Sequence, residues 1–278
     1  MSARLRGIAR ETEAVVAAGR YHTRDGREVS IERALSSAHS GTALYGPEPL
    51  PLVVLDGDRT PSVEVTGESS LAAAHRMTRE GPGKVAVLSY ASARNPGGGY
   101  LNGAQAQEEA LCRSSGLYTT LLRAPDFYAH HRAERSALYT DRVIHSPGVP
   151  VFRDDRGRFL DTPFTVGFLT SPAPNAGVVR ARTPEQAHRI PAALASRAER
   201  VLEVAAVRGY RRLVLGAWGC GVFRNDPAQV AGAFRALLLD GGRFAGHFEQ
   251  LVFGILDRAP DSATRAAFDR AFGAGSAA

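Results

Sequence analysis

Four short runs rich in apolar and β-branched residues constrain this chain more than any other feature. They are Val85 to Tyr90, Phe164 to Leu169, Arg212 to Ala217 and Gln250 to Leu256. Runs this short and this apolar are expected of strands covered on both faces. Helical spacing fills the intervals, over Gln107 to Leu122, Pro184 to Val207 with a kink or break at Pro191, Pro227 to Leu239, and Ser262 to Phe272. Strands alternating with helices predict a layered α/β fold. Before residue 80 the texture differs. Leu5, Ile8, Ala9, Thr12, Val15 and Val16 keep a helical period up to a stop at Gly19. Ser69 to Met77 predicts a second helix, ended by the Gly81-Pro82-Gly83 turn. The expected organisation is a helical extension, residues 1–80, packed on an α/β core, residues 81–278, as one structural unit.

Composition removes several function classes. Two cysteines, Cys112 and Cys220, are too few for a disulfide scaffold or a four-cysteine zinc site. The longest apolar stretches fall far short of the ~18 residues a membrane span needs. Met1 to Arg20 carries six charges and no apolar signal core, so a cytoplasmic protein is expected. The eight histidines form no ligand pattern, and His130-His131 are read into a surface helix, so no metal and no cofactor are expected. A net charge of +6 favours an anionic ligand. Lys84 is the single lysine among 34 basic residues, and the arginines are scattered among acids, which argues against nucleic acid as the main partner.

Two glycine-rich segments follow predicted strands, where ligands sit in open α/β sheets. The first is Asn95-Pro96-Gly97-Gly98-Gly99, and the second is Gly219-Cys220-Gly221-Val222-Phe223 with Asn225-Asp226 behind it. Glycines let backbone N–H groups approach an anion without a side chain between them. Each loop alone is also compatible with a plain turn, and neither fits a nucleotide fingerprint. As a pair they point to a diphosphate gripped from both sides, with Phe223 against a base or ribose or simply in the core. Cys220 has no histidine near it in sequence and reads as a packing residue.

Gln107-Glu108-Glu109 opens the helical run after the first loop. Acids in a first helical turn complement the macrodipole, so their position alone does not make them catalytic. Their closeness to the diphosphate loop does suit protonation of a glycosidic oxygen.

The string Asn95-Pro96-Gly97-Gly98-Gly99, seven residues, then Gln107-Glu108-Glu109 resembles the signature of poly(ADP-ribose) glycohydrolases, in their compact microbial form. The second loop is similar to that family's other diphosphate loop. Ile8 to Thr12, Ser146 to Arg153 and Ala173 to Ala176 resemble it too. The resemblance implies a macrodomain-like three-layer α/β/α mixed sheet and hydrolysis of ribose–ribose bonds in poly(ADP-ribose), releasing ADP-ribose from ADP-ribosylated proteins. It implies that Glu109 is the general acid and then base, and that Glu108 holds ribose hydroxyls and the leaving group. Asn95, Gly97, Gly98, Gly99 and Gln107, with Gly219, Cys220, Gly221, Val222 and Phe223, would bind substrate. Two alternatives share the loops: a mono-ADP-ribosyl hydrolase and a non-catalytic ADP-ribose reader. The paired glutamates argue against both.

Overall fold

The computed structural model describes residues 2–51, 60–257, 259 and 261–273. The remaining positions of the expected 1–80 and 81–278 units lie outside the described residues. Helix α1 (Ala3–Ala18) is capped by the Ser2 side chain and stops at Gly19, which takes the left-handed conformation its sequence position predicts. A small hairpin of β1 (Arg20–His22) and β2 (Glu28–Ser30) follows, then α2 (Glu32–Gly41), β3 (Ala43–Tyr45), β4 (Ser62–Thr66) and α3 (Ser70–Glu80). The central strand is β5 (Val85–Tyr90). After it come α4 (Gln107–Ser114), α5 (Leu117–Leu121), α6 (Pro125–Ala133), β6 (Val143–Arg153) and β7 (Phe159–Ser171). The chain ends with α7 (Ala176–Arg182), α8 (Ile190–Val207), β8 (Arg212–Leu215), α9 (Pro227–Leu238), β9 (Gln250–Gly254) and α10 (Ala263–Phe272).

Seven strands form one mixed sheet in the order β3-β6-β7-β5-β8-β9-β4. From β7 to β4 neighbouring strands are parallel, and β3, β6 and β7 pair antiparallel. The period of two divides the apolar strands between two cores. Val85 and Val87, with Val214 and Val252, pack under α3 to α6 beside Leu111, Leu121 and Phe127. Ala86 and Leu88, with Leu213, Leu215 and Phe253, face α7 to α10 beside Val201, Phe234 and Phe268. The result is the expected three-layer α/β/α sandwich.

Several elements differ from the sequence reading. Residues 1–80 contain helices, as expected, and also four short strands, two of which, β3 and β4, complete the edges of the main sheet. Strands of three to five residues are too short to carry a visible period. The expected helix over Gln107 to Leu122 breaks at Ser115, which is extended and bridges Val151, and at Gly116, which donates to the Pro150 carbonyl. Strand β6 is hidden in the sequence by Pro147, Gly148 and Pro150; Pro147 and Gly148 sit where its register against β7 shifts, and Pro150 stands in the regular ladder opposite Thr165. The run Pro184 to Val207 divides next to Pro191, as expected: Pro184–Arg189 form a 3-10 helix and α8 starts at Ile190, which puts Pro191 in its first turn, where its missing N–H costs nothing. His131 is buried in α6, not on a helix surface, with Nδ1 on the Phe127 carbonyl and Nε2 on Thr140.

Phe253 closes the core beneath the C-terminal helix, stacked on Phe272 at 4.2 Å between centroids and touching Phe234 and Phe268. Phe253→Ala should cost roughly 3–5 kcal/mol. In a thermal melt that is a fall in Tm on the order of 10 °C.

Candidate functional site

The site opens where β5 and β8 part. Their pairing ends at Val87 and Val214, while β5 continues beside β7 as far as Tyr90 and Ser171. On the open side, the Leu88 carbonyl and the Tyr90 N–H would lack ladder partners. The Gln107 carboxamide supplies them: its Oε1 accepts from Tyr90 N at 2.9 Å and its Nε2 donates to the Leu88 carbonyl at 2.8 Å. The second Nε2 hydrogen goes to Ser70 Oγ at the start of α3, at 3.0 Å. Gln107, expected among the substrate-binding residues, thus spends both amide hydrogens inside the protein and pins the first turn of α4 to the end of β5.

The first glycine loop folds over that turn. Asn95 donates its N–H to Ser92 Oγ and accepts from Gly98 N, and its side chain is exposed. Gly97 and Gly98 have φ of 65° and 58°, in the left-handed region. A Cβ on Gly98 would lie 2.4 Å from Glu109 Oε1 and 3.2 Å from Glu108 Oε2, so only glycine fits against the two acids. Gly99 donates its N–H to Glu109 Oε1 at 2.9 Å, and Ser92 donates its own to Glu108 Oε2 at 2.7 Å.

Both glutamates are buried, Glu108 with 3% and Glu109 with 9% of its surface accessible. Each therefore has one carboxylate oxygen held by a loop amide. The other oxygen, Oε1 of Glu108 and Oε2 of Glu109, is buried with no partner. Unmatched acceptors beside a glycine loop call for hydroxyl donors. Burial pushes the Glu108 carboxyl well above the usual carboxylate range, opposed by the Ser92 amide and reinforced by the charge of Glu109. One turn on, Arg113 is tied to the Ala104 carbonyl at 2.6 Å.

Helix α1 braces this arrangement from behind. Thr12 Oγ1 donates to the Arg113 carbonyl at 2.8 Å and accepts from Arg153 Nε, and Arg153 also pairs with Glu11 at 2.7 Å. Tyr100, just after the first loop, donates to Glu13 at 2.9 Å. The segments Ile8 to Thr12 and Ser146 to Arg153, singled out in the sequence, meet here.

The second loop faces the same opening. Trp218 is a core residue: its indole N–H donates to the Ser171 carbonyl at 2.9 Å, and its ring lies against Phe234. Gly219, at φ 73°, could not carry a Cβ, which would fall 2.5 Å from both Ala173 Cβ and Asn225 Nδ2. Asn225 is buried and closes the loop through Nδ2 bonds to the carbonyls of Pro174 (2.7 Å) and Gly219 (3.1 Å). Asp226 caps α9 through Ala228 N. Gly221 and Val222 are exposed, and the N–H groups of Gly221, Val222 and Phe223 donate to no acceptor among the described residues. Three consecutive free amides are what an anion needs. Burial raises the Cys220 thiol to about 12, which keeps it protonated and suits packing better than nucleophilic attack.

Phe223 is half-buried, its ring 6.0 Å from that of Tyr139. Sequence reasoning missed Tyr139. It sits at φ 59°, unusual for an aromatic residue, and nothing in the sequence around it announces this. The buried Arg197 holds the segment in place by donating to the Leu138 and Pro172 carbonyls and to Asp141. Asp154 pairs with Arg158, and Asp155 accepts from the Ser69 hydroxyl, 86 positions away in the chain.

The model of a microbial-type PARG catalytic domain, PARG being poly(ADP-ribose) glycohydrolase, matches residues 9–154. The chain is similar to a crystal structure of poly(ADP-ribose) glycohydrolase from Thermomonospora curvata, at 51% identity and a TM-score of 0.93, covering 98% of this chain and 100% of that one. The same relative bound to the inhibitor ADP-HPD matches at 52% identity and a TM-score of 0.90, with the same coverage. The enzyme from Deinococcus radiodurans in complex with ADP-ribose matches at 49% identity and a TM-score of 0.79, over 85% of this chain and 96% of that one. No curated protein matches.

Two outcomes follow from the geometry around α4. Gln107→Ala leaves the Leu88 carbonyl and the Tyr90 N–H unpaired, at a cost of about 1–3 kcal/mol. The checks are a lower Tm and faster hydrogen exchange at the Tyr90 amide. Separately, a carboxyl whose pKa is raised by folding binds its proton more tightly in the native chain than in the unfolded one. Its stabilising contribution is complete below the ordinary carboxylate pKa and is lost as pH rises through the folded value. The Tm of wild type should therefore fall behind that of Glu108→Gln as pH rises from about 5 to about 8. A constant difference across that range would contradict the burial argument.

Proposed function

The chain belongs to the microbial-type poly(ADP-ribose) glycohydrolase family, and on that premise we propose that it hydrolyses the ribose–ribose O-glycosidic bonds of poly(ADP-ribose) and releases ADP-ribose. The observation that carries the reading is the pair of buried carboxylates, each with one unpartnered oxygen, packed against Gly98 between two glycine loops. A diphosphate held by the free amides of Gly221 to Phe223 and by the first loop would set the distal ribose beside those oxygens, with Asn95 free to orient it.

In this mechanism Glu109 gives a proton to the leaving 2′-oxygen as the bond to the anomeric carbon breaks. Positive charge then develops on the ribose ring, close to the diphosphate, which stabilises it. Glu109, now a carboxylate, takes a proton from the water that attacks the anomeric carbon and is returned to its acid form. Glu108 accepts hydrogen bonds from ribose hydroxyls and holds the leaving group in line. One residue thus serves both proton transfers, unlike the two-carboxylate arrangement of most glycosidases. Phe223 packs against the proximal ribose.

The strong burial of Glu108 supports a second assignment, in which Glu108 supplies the proton and Glu109 positions the sugar. Single variants separate the two. ADP-ribosylated proteins are the proposed carriers of the polymer, and a cytoplasmic location is proposed with them; no helix of the described residues is long and apolar enough to cross a membrane.

With auto-poly(ADP-ribosyl)ated protein as substrate, Glu109→Gln should lower kcat by roughly 10²–10⁴, while ADP-ribose affinity stays within a few-fold. A much larger loss in Glu108→Gln than in Glu109→Gln would exchange the roles. Absence of ADP-ribose release by wild type would overturn the function itself.

A further inference from the structure

Five arginines surround the aromatic lip of the second loop, and none has a carboxylate partner among the described residues. Arg94 follows β5, Arg132 and Arg135 lie at the end of α6 and just beyond it, Arg180 is on α7, and Arg224 is in the loop itself. All five are exposed. Other arginines in this chain do find acids: Arg76, Arg153, Arg197, Arg200 and Arg243 each pair with at least one. Around the lip, Arg94, Arg132 and Arg180 rest their guanidinium groups on backbone carbonyls instead. Arg94 donates to the carbonyls of His131 (3.1 Å) and Arg135 (3.4 Å), and Arg132 donates to that of Arg94 (2.8 Å). Arg180 donates to the carbonyl of Arg224 at 3.0 Å, and the Arg224 stem crosses Gly177, 3.2 Å from where a Cβ would stand.

The acids closest in sequence are occupied elsewhere: Glu134 accepts from Ser136 N and Asp226 from Ala228 N. The two arginine groups are joined through the rings of His131, Tyr139 and Phe223, spaced 5.9 and 6.0 Å apart. A guanidinium carries five donors, so one or two bonds to carbonyls fix its plane and leave the rest for an anion. That geometry suits the paired oxygens of a phosphate better than a mobile ammonium would.

We infer that these arginines form a track for the diphosphates of the polymer beyond the unit held in the crevice. The inference rests on the glycohydrolase reading above. One ADP-ribose unit fills the crevice, and each further unit of the chain adds another diphosphate that must cross the rim. The rim therefore makes affinity rise with chain length and fall with salt, without touching the reacting bond.

The test uses the full chain, size-fractionated poly(ADP-ribose) and free ADP-ribose. Arg132→Glu/Arg135→Glu/Arg180→Glu should raise KM for long chains roughly tenfold at low salt and flatten its salt dependence. The kcat, and the affinity for free ADP-ribose, should stay within about twofold. A glutamine version of the same triple variant, with an unchanged Tm, covers the case in which charge reversal impairs folding. Polymer binding measured in a Glu109→Gln background reads the rim independently of cleavage. Unchanged KM and binding for long chains would overturn the track, as would an equal loss for free ADP-ribose. Failure of wild type to release ADP-ribose from any chain would instead overturn the function on which it rests.

Discussion

Where β5 and β8 separate, peptide groups of the central strand lose their ladder partners at the point where a ligand crevice has to open. Burying them unmatched would cost on the order of a few kcal/mol. The carboxamide of Gln107 presents the same donor and acceptor as a peptide unit, so it continues the ladder for one more step while belonging to a helix. The acid pair and the first glycine loop inherit their position from that bond pair. It sets the start of α4 relative to the sheet, and the next two residues of α4 are the buried glutamates. The loop leaving β5 is then tied down by those glutamates through the N–H groups of Ser92 and Gly99.

The glycines and the acids are consequently one device. Gly98 has no side chain because the Glu109 carboxylate occupies the space, and the carboxylates are stable there because loop amides satisfy one oxygen of each. The oxygens left over explain why a buried, destabilising acid pair is tolerated. On the proposed reading its binding potential is reserved for a sugar, as expected when a local rule is broken at a site that acts on a ligand.

The sheet was largely legible in the sequence because its four parallel core strands are buried on both faces and so are continuously apolar. What escaped was structure that depends on partners far along the chain. Strand β3 holds only three residues, and β6 carries two prolines and a glycine, residues depleted in strands, one proline at a register shift and the other in the ladder. The break after α4 follows from Ser115 pairing with Val151, which no local propensity encodes. In the site, the two loops and the acid pair could be read because glycine and glutamate are costly in those settings and stand out. Gln107 could be located but its job could not, since an amide beside two acids looks like a ligand until its hydrogen bonds are seen. Tyr139 was invisible: its left-handed backbone follows Leu138, whose carbonyl is held by Arg197, 59 positions along the chain.

The N-terminal segment also changes meaning in three dimensions. As sequence, Ile8 to Thr12 is an ordinary stretch of amphipathic helix. In the fold, Thr12 takes up the Arg113 carbonyl near the end of α4, and Glu11 neutralises the Arg153 side chain that reaches across from β6. Helix α4 is thus fixed at both ends, by Gln107 on the sheet and by α1 behind it. A first turn held at one end only could rotate, and a small rotation would carry both carboxylates off the glycine loop. Proton transfer demands placement within a few tenths of an ångström. In the proposed mechanism the brace is therefore as necessary as the acids it stands behind.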